Sequence, residues 1–183
     1  INEFAVYLLP AELQSTFIQH LYYLISQSVA PDQRRYAVEG EAARHYIDLD
    51  HYYTPGQDPF WNLAQNWQEA VDCHSADTLQ AYGIVPWHVV RMKYRLQKAF
   101  EEKNLALLLK YAAEIGHYIA DAHVPLHTTE NYNGQLTNQY GIHGLWESRL
   151  IELQAENYNY WIGKATYLPS LQKAIWAAVK VVL

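Results

Sequence analysis

Apolar residues recur at three- and four-residue intervals through most of this 183-residue chain, the period of an amphipathic helix. Leu13, Phe17, Leu21 and Leu24 share one face and predict a helix from about Pro10 to Val29. Pro31-Asp32 breaks it, Tyr36 to Glu41 reads as a loop or short turn, and Ala42 to Asp50 forms the next element. The stretch Thr54-Pro55-Gly56-Gln57-Asp58-Pro59 is a turn signal, and Asn62 to Cys73 and Ser75 to Tyr82 read as two short helices, the second capped by Ser75. Pro86 fits the first turn of a helix reaching about Lys103, with Val89, Met92 and Leu96 on one face. Asn104 caps the next, Leu105 to about Ala122, which is the most apolar and therefore central; Pro125 ends it. Thr128 to Gly141, with Asn131, Asn133, Gly134 and Thr137, is a loop long enough to be functional. Ile142 to about Gln154 and Leu168 to Val181 are the last helices. No run alternates in strand fashion and no repeat appears, so the expected fold is an all-α, single-domain multi-helix bundle over residues 1–183.

Composition narrows the function. Half the residues are hydrophobic and 17% are charged, which excludes a disordered chain. No apolar run approaches the roughly 20 residues of a membrane span, so no transmembrane segment is expected. A net charge of -6 with 13 scattered Lys and Arg argues against stable binding of duplex DNA. The single cysteine, Cys73, excludes a disulfide framework and a Cys-rich zinc module, so any metal must be held by His and carboxylates.

Two such pairs stand out. His117 and Asp121 are four apart on the central helix, and His143 and Glu147 repeat the spacing later, so each pair shares a helix face. Random placement of 9 histidines and 19 acids gives about one such spacing, so the pairs alone decide nothing. Their surroundings add weight: His127 lies just past Pro125, where the chain can curl back toward the same helix end, and Asp32 and His45 bracket a turn upstream. Seven oxygen and nitrogen donors suffice for two zinc ions with positions left open for water.

Three segments extend the pattern. Gly116-His117-Tyr118-Ile119-Ala120-Asp121-Ala122-His123-Val124-Pro125-Leu126-His127, Ile142-His143-Gly144-Leu145-Trp146-Glu147 and His45-Tyr46-Ile47-Asp48 occur in that motif set. Together they resemble the all-α hydrolases that include bacterial zinc-dependent phospholipase C and the single-strand-specific zinc nucleases of fungi and plants. The resemblance runs from about Asp32 to Glu147. It implies one zinc on Asp32, His45, His117 and Asp121 and a second on His127, His143 and Glu147. The family's third zinc uses an N-terminal Trp and a nearby His that this sequence does not contain, so two ions are expected from this chain and a third if the native N-terminus supplies ligands. The implied reaction is metal-assisted hydrolysis of a phosphoester: a water ionised between cations attacks phosphorus in line, oriented by Asp32 as the catalytic carboxylate. Tyr46 and Asp48 are implied to stack on and hydrogen-bond a base in a nuclease. Trp146 and His123 also look nuclease-like, whereas Glu147, where the nucleases usually carry Asp, looks like the phospholipases. The expected substrates are therefore single-stranded nucleic acid or nucleotides first and phospholipid head groups second, and the relatives imply an exported protein, although no signal peptide is visible.

Structural alternatives stand beside these roles. Asp32 also reads as a turn residue, Tyr46 as a core tyrosine, His88 as a capping or packing residue, and His20, His51 and His74 as surface or half-buried. His123 is expected to orient a ligand from behind, and Cys73 to be a small buried hydrophobe. Among rival classes, Glu114-x-x-His117 is one copy of a di-iron motif that needs two. A non-enzymatic helical binding module explains the aromatic richness but not the clustering of His and acids.

Overall fold

The computed structural model describes residues 1–52, 63–160 and 163–181, and among them it is helical with no strand. The helices are α1 (Asn2–Tyr7), α2 (Ala11–Gln19), α3 (Leu21–Ser26), α4 (Ala30–Arg34), α5 (Trp67–His74), α6 (Ala76–Ala81), α7 (Val85–Glu101), α8 (Leu105–Asp121), α9 (Ile142–Gly144), α10 (Leu150–Gln154) and α11 (Leu171–Val181). The all-α expectation holds.

The helices α7 and α8, 17 residues each, form the spine and run about 25 Å. Asn104 accepts from the Leu107 amide and so starts α8 as expected. Their facing stripes carry two apolar clusters. In one, Val6, Phe17 and Leu24 from α1 to α3 cover Leu108 and Leu109 of α8. In the other, Trp176 of α11 meets Trp87 of α7 edge to face at 5.1 Å, beside Tyr118 and Met92. Tyr111 packs against both. Asn2 pins α1 to this frame by donating to the Leu24 and Ala113 carbonyls at 3.0 and 2.8 Å. Its Oδ1 sits 2.1 Å from where a Cβ on residue 116 would stand, so a side chain there would displace the Asn2 amide from these bonds.

Several boundaries differ from the periodicity. The predicted helix from Pro10 to Val29 is broken at His20, and the same apolar stripe continues through the break, which is why spacing carries no sign of it. Pro31 does not break a helix; it sits in the first turn of α4, where its missing N–H has no partner to lose. The helix predicted from Asn62 begins at Trp67, capped by Asn66, which accepts from the Gln68 and Glu69 amides; the position of Asn62 and the predicted turn at Thr54 to Pro59 lie outside the described residues. Cys73 is exposed rather than buried, because Ala70 takes the inward face of α5. The last helix starts at Leu171 rather than Leu168, the first residue after Pro169 and Ser170.

Residues 42–52 form a strap of two 3₁₀ turns, Ala42–His45 and Leu49–Tyr52, joined by extended backbone at Tyr46. Backbone bonds hold both its edges. On one side Asp48 N–H donates to Tyr82 O at 2.7 Å, while Ile84 and Val85 donate to Ala43 O and Tyr46 O at 2.6 and 3.1 Å. On the other, Ile47 and Leu49 donate to the carbonyls of His127 and Thr128 at 2.8 and 3.1 Å. The strap thus runs beside the end of α8.

Candidate metal centre

The last two turns of α8 present His117 and Asp121, the strap brings His45, and α4 brings Asp32. His45 Nδ1 lies 2.9 Å from Asp121 Oδ2, 3.2 Å from His117 Nε2 and 3.6 Å from Asp32 Oδ1. His117 Nε2 is 3.4 Å from both Asp32 Oδ1 and Asp121 Oδ2. Four donors held tetrahedrally at zinc bond lengths of about 2.0–2.1 Å stand about 3.3 Å apart. The separations among Asp32, His45 and His117, 3.2 to 3.6 Å, bracket that value, so these three fit three corners of a tetrahedral ion, with Asp121 beside them at 2.9 Å from His45.

A second cluster lies past Asp121. The 3₁₀ turn Pro125–His127 returns the chain, His127 Nε2 lies 2.9 Å from Glu147 Oε1, and His143 Nε2 lies 2.7 Å from Glu147 Oε2. His143 comes from α9, and Glu147 from the π-helical turn Leu145–Arg149 that follows, a geometry that recurs at functional sites. His127 Nδ1 donates to the His45 carbonyl at 2.6 Å, which leaves Nε2 as the atom aimed at the cluster. That buried Nε2 faces a carboxylate oxygen with no hydrogen bond of its own, an arrangement a cation resolves. The donors His127, His143 and Glu147 fit zinc at three positions, with others open. Asp121 stands between the clusters, its Oδ1 3.8 Å from His127 Nδ1.

The electrostatics agree. The His117 imidazole holds the Asp32 carboxyl below its ordinary range against the opposing effect of burial, helped by His45 and Arg35. Burial opposes the charged form of His117, but Asp32 and Asp121 outweigh it and raise its pKa. Burial likewise opposes the His127 imidazolium, and Glu147 and Asp121 prevail over it. For Glu147 burial pushes upward, and the two histidines bring the net shift below the ordinary value. Three carboxylates converge on four histidines; two zinc ions, +4 against -3, would leave the centre at +1, suited to an anion.

Beside the second cluster opens a cleft of about 580 Å³ lined by Arg35, Tyr36, Tyr46, Asp48, Glu130 and Tyr132, with His127 and His143 in its wall. Tyr46 is half-buried and donates to the Ala81 carbonyl at 3.2 Å; burial, then the Asp48 charge, raises its pKa. Burial pushes the Asp48 carboxyl up to about 6, with Asp50 and Glu130 adding to the shift and His51 opposing it. The structure therefore gathers all seven residues expected to hold metal, and Tyr46 and Asp48 border the same space. His123 does not join them: it is exposed, and its Nδ1 lies 2.7 Å from the Ile119 carbonyl one turn back.

His88 is buried with both nitrogens unpartnered, edge-on to Tyr118 at 4.4 Å. Burial, then nearby arginines, lowers its pKa to about 2, so it packs as a neutral ring. Glu114 is not half of a di-iron motif; it accepts two hydrogen bonds from Arg34 at 2.7 and 2.9 Å. Sequence reading missed Arg35, Tyr36, Glu130 and Tyr132. Arg35 left a signal three residues after Asp32 at the end of a helical turn, and Glu130 and Tyr132 left only their place in the long loop Thr128 to Gly141.

The sequence profile described as Zinc dependent phospholipase C matches residues 1–180. Comparison with curated proteins and with solved structures gives no significant match. With its paired His and carboxylate clusters on an all-α frame and a profile match over nearly the whole chain, this protein belongs to the zinc-dependent phospholipase C family.

Proposed function

We propose that this zinc-dependent phosphoester hydrolase acts as a phospholipase C on a phospholipid head group carrying one phosphate and a cationic amine. The make-up of the cleft carries the reading: one arginine, three tyrosines and two carboxylates surround the approach to the second cluster. A polynucleotide brings further phosphates that would meet Asp48 and Glu130, whereas a zwitterionic head group places its ammonium there. Each tyrosine face contributes about 0.5–2 kcal/mol to a bound cation, according to desolvation.

Zinc at the two clusters supplies Lewis acidity and a water that ionises near neutral pH. The chain's own residues do the rest. Asp32 has an exposed carboxylate edge and a depressed pKa, so it stays an acceptor at neutral pH and orients the attacking water. Arg35, on the cleft wall, pairs with a non-bridging phosphoryl oxygen. Tyr36, Tyr46 and Tyr132 hold the head group and exclude water from one side.

A second reading is hydrolysis of single-stranded nucleic acid or a nucleotide, favoured by Tyr46 beside Asp48. A carboxyl titrating near 6 offers a base both a donor and an acceptor. Zinc-replete protein is to be assayed with phosphatidylcholine vesicles, single-stranded DNA and a mononucleotide. Phosphocholine release supports the first reading. Nucleotide or phosphate release without phosphocholine supports the second, and no product from any substrate overturns both. The family relation also favours export, testable by fractionating cells that express the full-length protein.

A further inference from the structure

Behind the first cluster lies a polar network that takes no part in holding metal. At its centre is Glu41, whose side chain is fully buried. Arg34 Nε donates to Glu41 Oε2 at 3.0 Å and Arg44 donates to the same oxygen at 2.5 Å. The Tyr118 hydroxyl donates to Oε1. Arg34 then continues to both oxygens of Glu114 and to the Tyr118 oxygen, at 2.7 to 2.9 Å. Two arginines balance two glutamates, so the network adds no net charge that would repel or compete for a cation.

Its members are interleaved with the ligands. Arg34 follows Asp32 by two residues, Glu41 precedes His45 by four, and Glu114 and Tyr118 flank His117 on α8. Arg34 therefore bridges the helix that carries Asp32 to the helix that carries His117 and Asp121. His45 shows the point most directly. Its Nδ1 faces the cluster, while Nε2, on the opposite side of the ring, is buried without a hydrogen-bond partner and lies 3.8 Å from Glu41 Oε1. A ligating imidazole needs its second nitrogen protonated and held, commonly by a carboxylate, to fix its orientation and raise its basicity. Burying the carboxylates of Glu41 and Glu114, even against two partly exposed arginines, is expensive, and apolar side chains of similar size would pack the same space more cheaply. Orientation of the ligands is the gain that accounts for keeping them.

We infer that Glu41, locked by Arg34, Arg44 and Tyr118, is a positioning residue that takes the Nε2 proton of His45 as a hydrogen bond and so aims Nδ1 at the first zinc. At 3.8 Å the two atoms stand just beyond hydrogen-bond length, so the inference requires that separation to shorten by about 1 Å. The inference rests on the zinc reading of that cluster, and the controls separate the two.

The test compares wild type, Glu41→Gln and Tyr118→Phe as full chains. Zinc affinity is measured by chelator competition, and His45 is followed by ¹⁵N NMR in the zinc-loaded protein. Wild type should bind zinc at both clusters, with His45→Ala removing only the first; if wild type binds none there, the zinc reading itself falls. Given wild-type binding, Glu41→Gln should weaken the first zinc about 10–100-fold and leave the second unchanged. The wild-type His45 should carry its proton on Nε2, and its Nε2 resonance should shift in the variant. Wild-type affinity at both clusters, equal loss at both, or a proton on Nδ1 overturns the inference. Circular dichroism and melting in chelator check that the fold survives. If Glu41→Gln does not fold, Tyr118→Phe, which removes one hydroxyl and no charge, decides: several-fold weaker zinc at the first cluster alone supports the inference, and no change overturns it.

Discussion

Replacing Gly83 by alanine tests how the strap builds the site. Gly83 has φ +87, and a Cβ there would lie 2.2 Å from the Tyr46 carbonyl oxygen and 2.6 Å from its carbon. Alanine in a left-handed conformation costs about 1–2 kcal/mol. Relieving the contact moves the strap by about 1 Å, since non-bonded carbon and oxygen stand a little over 3 Å apart. That movement breaks the 3.1 Å bond from Val85 N–H to Tyr46 O. Val85 is fully buried, so its amide is left unpaired, at about 1–3 kcal/mol. The sum, about 2–5 kcal/mol, lowers the melting temperature by roughly 5–15 °C in a protein of this size. Because Tyr46 follows His45, the same shift displaces a ligand, and a 1 Å misplacement costs on the order of 100-fold in turnover. Melting by circular dichroism and head-group release by the zinc-replete variant measure both. A variant melting within about 2 °C of wild type with unchanged turnover would refute the strap as the element that sets His45.

Two further substitutions probe the cleft. Asp48 has its pKa raised from 3.8 to about 6, so the folded state holds its proton more tightly than the unfolded one; that stability is present below pH 3.8 and lost as pH rises through 6. The full shift corresponds to about 3 kcal/mol, reduced to about 1 kcal/mol for a half-exposed group. In chelator, Asp48→Asn should therefore melt about 2–4 °C above wild type at pH 8 and equal it near pH 3.5; a lower melting point at pH 8 contradicts the assignment. Arg35→Met should lower kcat/KM for the hydrolysed phosphodiester about 100-fold while leaving zinc content unchanged. An effect under threefold would remove Arg35 from the phosphate site.

The spine was legible because its signals are local. The boundaries of α7 and α8 fall within two residues of those expected from apolar period, Pro86 and the Asn104 cap. The pairs His117/Asp121 and His143/Glu147 were legible for the same reason, since four-residue spacing on a helix fixes their mutual placement. The strap was not. Its residues are placed by hydrogen bonds to the backbone of residues 82–85 and 127–128, and such bonds impose no periodicity on side chains. The cleft walls at Tyr36, Glu130 and Tyr132 depend on that placement, and the length of the loop Thr128 to Gly141 marked the last two only as a segment. His123 was misread because it lies past the end of α8, in an exposed turn where its Nδ1 folds back onto the Ile119 carbonyl. Glu114 was misread because its partner, Arg34, is 80 residues away.

The central claim is that both clusters hold zinc, and elemental analysis of protein purified without added metal tests it most directly. Two equivalents per chain are expected, with His45→Ala and His143→Ala each removing one. A value near zero that added zinc does not restore would contradict the account.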